Sequence, residues 1–245
     1  MQKQADEIKQ FYQTAVGRHA ADAVEKIVWQ QCASIFGYYA LELGDVFAEG
    51  GLLKNSTITK TLMLKVAEPA DVIAEADALP FENDSIDLIV LPHSLDVAAD
   101  PHQVLREVER CLVPGGYVII IGFNLFSLYG LRHLLHKWRK RDSMWSRPFY
   151  SSGRIRDWCS LLGLDQIKVS YAAHLPPIQR LQQLLSMQRF AALVERRLRY
   201  SGGVYVMVAH KRIARLTPLR RRWVDPQNLI PGKIAKPSIG MRKHD

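Results

Sequence analysis

His93 stands in the segment Leu91-Pro92-His93-Ser94-Leu95-Asp96, directly after the strongly apolar run Ile86–Leu91. An imidazole at the end of a buried strand can be neutral near physiological pH, and a neutral imidazole can take a proton from an attacking hydroxyl or amine. The same side chain can equally hydrogen-bond the backbone and fix its loop. His102 falls in the first turn of a helical pattern and reads as a surface or capping group. The three cysteines, Cys32, Cys111 and Cys159, are odd in number and far apart. Neither a disulfide framework nor a metal-ligand spacing can be built from them, and a reducing compartment suits them best. No metal site is expected.

Alternating strands and helices must position these residues. Apolar residues recur at a helical period over residues 5–36, with Gly17 expected to separate two helices. Tyr38–Leu43 reads as a buried strand ending at Gly44, and residues 45–56 as a loop. Strands are expected at Thr59–Val66, Val72–Ala76, Ile86–Leu91, Tyr117–Ile121, Leu164–Tyr171 and Val204–Ala209, the last antiparallel at or near an edge. Pro101–Leu112 is amphipathic, with Asp100 and Pro101 as its start signal and Pro114-Gly115-Gly116 as its stop. Further helices are expected at Ser152–Leu162, with Gly163 as terminator, and at Ile178–Tyr200. Strand and helix alternate, which predicts an α/β fold, a doubly wound and mostly parallel sheet covered on both faces.

The chain has 245 residues, 48% hydrophobic and 23% charged, enough for one large domain with a buried core. The expected organisation is N-terminal helices over 1–36, an α/β domain over 37–212 and a basic, disordered tail over 213–245. The first ten residues are polar and unlike a signal peptide, and no apolar run approaches the roughly 20 residues needed to span a bilayer. A cytoplasmic protein is expected, or one peripheral to the inner face of the membrane. Up to Arg110 there are nine Lys/Arg against 18 Asp/Glu; from Cys111 onward there are 24 against six. Such asymmetry suits an anionic partner for the C-terminal half, RNA or a membrane surface, or simply a solvated basic tail.

The stretch DALPFENDSIDLIVLPHSLDVAAD, from Asp77 to Asp100, and its continuation PHQVLREVERCLVPGGYVIIIGFN carry a set of ordered motifs. An acidic residue, a small one and Leu-Pro-Phe come first (Asp77, Ala78, Leu79, Pro80, Phe81). A strand opening on Ile86-Asp87 follows, then a helix closing on Leu112, Pro114, Gly115 and Gly116. This resembles the central half of class I S-adenosylmethionine-dependent methyltransferases of the type 11 kind, a proteobacterial branch especially. The clear match covers Glu75–Asn124; weaker similarity runs from Thr14 to about Lys211.

The resemblance implies a Rossmann-like seven-strand sheet and S-adenosyl-L-methionine as cofactor. It implies that Asp77 accepts a hydrogen bond from the adenine amino group, that the amides of Ala78 and Leu79 complete adenine recognition, and that Leu79 and Phe81 supply an apolar wall. Glu42 would orient the methionine end, and Gly44 would open the cofactor turn. His93 would border the cofactor and overlook the methyl-transfer site, and Asn124 beside it would hydrogen-bond the acceptor. Read without the resemblance, Asp77 is a turn cap and Pro114-Gly115-Gly116 a chain reversal.

Two departures stand out. After Gly44 come Asp45, Val46, Phe47 and Ala48, where the family prefers further glycines that let the backbone approach the cofactor without a Cβ. Between Gly44 and Asp77 there is little room for two helices and a strand, which predicts a shortened cofactor-binding half. Glu68 is the only candidate ribose acceptor there and is not assigned. The segment from Phe123 to Arg141 is apolar at its start and basic at its end. By the resemblance it covers the active site and shapes the acceptor pocket; by its composition it can also lie on an anionic membrane surface. Two functions follow. One is methyl transfer to a small or lipophilic acceptor, which needs alignment, exclusion of water and removal of one proton. The other is a non-catalytic methyltransferase fold whose basic C-terminal half engages RNA, a membrane surface or a protein partner.

Overall fold

The computed structural model describes residues 2–47, 51–66, 70–138, 149–174 and 201–213. The chain divides into a unit Met1–Ala214 and a unit Arg215–Asp245. The second unit, and the helix expected at Ile178–Tyr200, lie outside the described residues.

In chain order the elements are α1 (Gln2–Gln13), α2 (Ala15–Cys32), β1 (Tyr39–Leu43), a 3₁₀ turn (Leu52–Asn55), β2 (Lys60–Lys65), β3 (Val72–Ile73), β4 (Ile86–Pro92), α3 (Ser94–Val97), α4 (Pro101–Cys111), β5 (Leu112–Phe123), α5 (Leu128–Trp138), α6 (Ser152–Leu161), β6 (Leu164–Ala172) and β7 (Val204–Lys211). They form one seven-stranded sheet in the order β3-β2-β1-β4-β5-β7-β6. β1 to β5 run parallel, and β7 is antiparallel to both β5 and β6. β4 and β5 are parallel neighbours in register from Leu88↔Tyr117 to Pro92↔Ile121, as expected. β7 is antiparallel and one place in from the edge formed by β6.

The central strands read as continuous apolar runs because both faces are covered. Ala40, Leu88, Val90, Ile119 and Ile121 share one core with Val24 and Val28 of α2. Leu41, Ile89, Leu91, Val118 and Ile120 share the other with Val104, Leu105 and Val108 of α4. α4 starts where Asp100 caps it, its carboxylate accepting from the amides of His102 and Gln103. Ser151 caps α6 by accepting from the Arg154 amide.

Several boundaries differ from expectation. The first two helices break at Thr14, whose hydroxyl oxygen accepts from the amide of Gly17. Gly17 lies inside α2, where a Cβ would collide with the Phe11 carbonyl, so this glycine serves close helix packing instead of separation. β3 has two residues, because the chain turns away after Ile73 and closes a turn from Ala78 back to Glu75. β5 already begins at Leu112, so Pro114-Gly115-Gly116 lies within the strand. There it is accommodated by a positive φ of 82° at Gly115 and a register shift against β4 between Ile86 and Leu88. Between Gly44 and β2 the described residues contain only the 3₁₀ turn, and none between β2 and β3 is helical. The shortened half is thus present. No helix among the described residues is long and apolar enough to cross a membrane.

Candidate active site

The chain leaves β1 toward β2 and β3 on one side and returns through β4 and β5 on the other. The carboxyl ends of β1 and β4 therefore flank the switch point where doubly wound sheets bind ligands. Gly44 follows β1, His93 follows β4 and Asn124 follows β5. The Ser94 hydroxyl donates to the Leu43 carbonyl at 2.9 Å and ties the first two ends together.

His93 adopts a left-handed backbone, with φ 57° and ψ 14°. Non-glycine residues rarely adopt this conformation except where surroundings enforce it. Its amide donates to the Ile121 carbonyl. Its Nδ1 lies 2.8 Å from Asp96 Oδ2, and its Nε2 lies 2.7 Å from the Tyr12 hydroxyl. Asp96 Oδ2 also accepts from the Phe123 amide at 3.3 Å. Burial, reinforced by Tyr129 and Asp96, raises the Tyr12 hydroxyl well above the usual phenol range, so Tyr12 remains a donor. The consistent tautomer has Nδ1–H donating to Asp96 and Nε2 accepting from Tyr12. This is the orientation of a general base, with a carboxylate behind the ring and a lone pair in front. The imidazole is fully buried, walled by Phe123 at 4.2 Å and Phe47 at 6.0 Å between ring centroids. It does not face open solvent.

Glu42 is 1% exposed at the carboxyl end of β1. Its Oε2 accepts from the amides of Leu52 and Leu53 at 2.8 and 3.3 Å, and its buried Oε1 has no hydrogen-bond partner among the described residues. Burial dominates over those two hydrogen bonds and pushes its carboxyl up to about 7. A cavity of about 370 Å³ adjoins it, lined by Glu42, Leu53, Thr61, Leu62, Met63, Ala70 and Asp71. Gly44 has φ 101°, and a Cβ there would meet nothing within 4 Å. Asp45 is bridged by Lys9 of α1 and Lys65 of β2, each at 2.8 Å. Val46 and Phe47 are buried, and Phe47 packs on Tyr12 at 4.5 Å between centroids.

Asp77 is half-buried, and its carboxylate has no hydrogen-bond or ion-pair partner among the described residues. The two amides expected to read adenine are already used. Ala78 donates to the Glu75 carbonyl, and Leu79 donates to Glu107 Oε2 at 3.0 Å. Leu79 is buried, and Phe81 packs on the same core. Asn124 is buried with both ends of its side-chain amide engaged: Nδ2 donates to the Gly202 carbonyl and Oδ1 accepts from the Phe126 amide. It shapes the turn into α5.

Three residues were missed by reading the sequence. Tyr12 and Asp96 complete the buried chain through His93. Arg110 of α4 donates to the carbonyls of Leu79 and Phe81 and pairs with Glu107 at 2.8 Å, which clamps the Leu-Pro-Phe loop to the helix. The signal for the clamp was the three-residue spacing of Glu107 and Arg110. Nothing local marked Tyr12, which is 81 residues from His93. Among the described residues no cluster of His, Cys, Asp or Glu could hold a metal ion.

Residues 53–120 match the model of a family described as a methyltransferase domain. The chain is 29% identical over 187 residues to the uncharacterized protein YafS of Escherichia coli, which covers 71% of this chain and 78% of that protein. A shorter stretch of 64 residues is 34% identical to the ubiquinone/menaquinone biosynthesis C-methyltransferase UbiE of Geotalea daltonii, 26% of this chain and 27% of that one. A crystal structure from Thermotoga maritima, described as an S-adenosylmethionine-dependent methyltransferase and possible histamine N-methyltransferase, superposes with a TM-score of 0.61. It is 17% identical and covers 84% of this chain and 96% of that chain. The sheet order and the solved neighbour give the chain the fold of class I S-adenosylmethionine-dependent methyltransferases, and its matched segment is similar to their methyltransferase domain. S-adenosyl-L-methionine is the cofactor that family and fold imply.

The residues present fit that cofactor at three points. Asp77 offers a carboxylate without a partner among the described residues, Gly44 leaves space free of a Cβ, and the cavity at Glu42 falls within the size range of small-molecule sites. The fit is poorest at Val46 and Phe47, whose side chains belong to the core.

Proposed function

We propose that the protein is a methyltransferase for a small or lipophilic acceptor, with His93 as general base and Asp96 as the group that orients it. The observation that carries this reading is the Tyr12–His93–Asp96 hydrogen-bonded chain at the end of β4. Asp77 would hold the adenine amino group, and Gly44 and Glu42 would border the rest of the cofactor. When bound, S-adenosylmethionine supplies an electrophilic methyl group on a sulfonium. An acceptor hydroxyl or amine loses its proton to His93 Nε2, and Asp96 stabilises the resulting imidazolium. Because Nε2 is bonded to Tyr12, the acceptor must take the place of the Tyr12 hydroxyl. α1 would then move aside to admit the acceptor and return to exclude water.

Calorimetric titration with S-adenosylmethionine and with its demethylated product tests the reading. Saturable binding of both is expected; no binding at millimolar concentration defeats it. A second reading, a non-catalytic member of the fold, draws support from the buried Phe47 ring beside His93 and from the engaged amides of Ala78 and Leu79. Its signature is a protein that binds neither compound yet binds an anionic partner.

A further inference from the structure

The segment around α5 is buried on one side and apolar on the other. Tyr129, Gly130 and His133 are buried. Leu125, Phe126, Leu128, Leu131 and Leu134 are 38, 75, 48, 53 and 59% exposed. Leu128, Leu131 and Leu134 recur every three residues and so line one outward strip of the helix. A row of leucines with an exposed phenylalanine at its start is costly in water and marks an interaction surface.

The charge carried by the same stretch of sequence narrows the partner. From Phe123 to Arg141 the sequence carries Arg132, Lys137, Arg139, Lys140 and Arg141 and no acidic residue. A second copy of the chain would bring two such basic segments together, which like-charge repulsion opposes. A nucleic acid would use the cations, but it has no counterpart for an aliphatic strip; single strands bind on stacking aromatic rings. An anionic phospholipid surface uses both. Leucine and phenylalanine enter the boundary between headgroups and acyl chains, while lysine and arginine stay with the phosphates.

We propose that the outward face of α5, with Leu125 and Phe126 before it, inserts shallowly into anionic phospholipid membranes. The inference does not rest on the methyl-transfer reading, because it needs neither cofactor nor His93.

Sedimentation of the full chain with vesicles, without cofactor, tests it. Vesicles of phosphatidylcholine alone are compared with vesicles containing about one third phosphatidylglycerol. Binding to the anionic vesicles and little to the neutral ones is expected, weakening as salt rises. The pair Leu131→Gln, Leu134→Gln removes exposed groups only, so its thermal transition should be unchanged while vesicle affinity falls at least tenfold. A Leu131→Trp reporter should shift its emission to the blue on anionic vesicles. Unchanged affinity of the double leucine variant overturns the proposal, as does absence of binding to anionic vesicles. Dimerisation in vesicle-free buffer that the double variant abolishes would assign the strip to a second copy instead, and tighter binding to a short RNA than to vesicles would assign the basic segment to nucleic acid.

Discussion

The Tyr12 hydroxyl lies 2.7 Å from His93 Nε2, so the first helix of the chain reaches the residue that ends its central strand. Asp45 repeats the connection, since Lys9 of α1 bridges to it across the turn after β1. The N-terminal helix is therefore part of the candidate site and not an appendage to it. Tyr12→Phe deletes the hydroxyl and leaves a buried imidazole nitrogen unpaired, for a loss on the order of 1–3 kcal/mol. Urea denaturation should show a lower midpoint with an unchanged slope. An unchanged midpoint would mean that Tyr12 only rests against His93.

Glu42 makes stability depend on pH in an unusual direction. Its carboxyl is raised from 4.5 to about 7 by burial, so the folded state holds the proton that the unfolded state releases. Folded protein binds more protons between these two values, and stability therefore falls as pH rises through that window. The loss is fully developed above pH 7 and amounts to something on the order of 3 kcal/mol. Glu42→Gln keeps the shape and cannot ionise. Thermal melts at pH 5 and pH 8 should show a drop for the wild type that the variant lacks.

What could be read beforehand follows from how local each signal is. Ile86–Leu91 and the Tyr117–Ile121 part of β5 were legible because a parallel strand buried on both faces is apolar throughout. α4 was legible because Asp100, Pro101 and the positions of Val104, Leu105 and Val108 announce themselves within a dozen residues. Gly44 could be placed at a strand end for the same reason, whereas Asp77, expected directly after a strand, lies four residues beyond the end of β3. Tyr12 could not, because its partner is fixed only once α1 is docked against β4. Nor could the engaged amide of Leu79, which depends on Glu107 reaching across from α4. The hydrogen bond from Asn124 to the Gly202 carbonyl was not legible either, since its partner is 78 residues away.

Phe47 separates the two functional readings. Its ring is 5% exposed and packed against Tyr12 and His93. Phe47→Ala should cost about 3–5 kcal/mol as a large-to-small core change. The informative measurement is calorimetry on the surviving folded protein. Tighter binding of S-adenosylmethionine by Phe47→Ala than by wild type would show that the ring occupies cofactor space. Equal affinity would mean that the cofactor passes clear of this ring.

Asp77 offers the cleanest test of the cofactor site, because its carboxylate is half-exposed and supports nothing else among the described residues. Asp77→Ala should therefore leave stability within about 0.5 kcal/mol of wild type, as exposed substitutions usually do. If the carboxylate accepts the adenine amine, the same change should weaken S-adenosylmethionine by 1–3 kcal/mol, roughly 5- to 150-fold. Glu107→Ala makes the matching control. It removes the acceptor for the Leu79 amide and the partner of Arg110, so it should loosen the Leu-Pro-Phe loop, lowering stability and affinity together. Affinity lost in Asp77→Ala with stability intact identifies a ligand contact. Affinity kept in Asp77→Ala but lost in Glu107→Ala would show that loop shape, and not the carboxylate, recognises the adenine end.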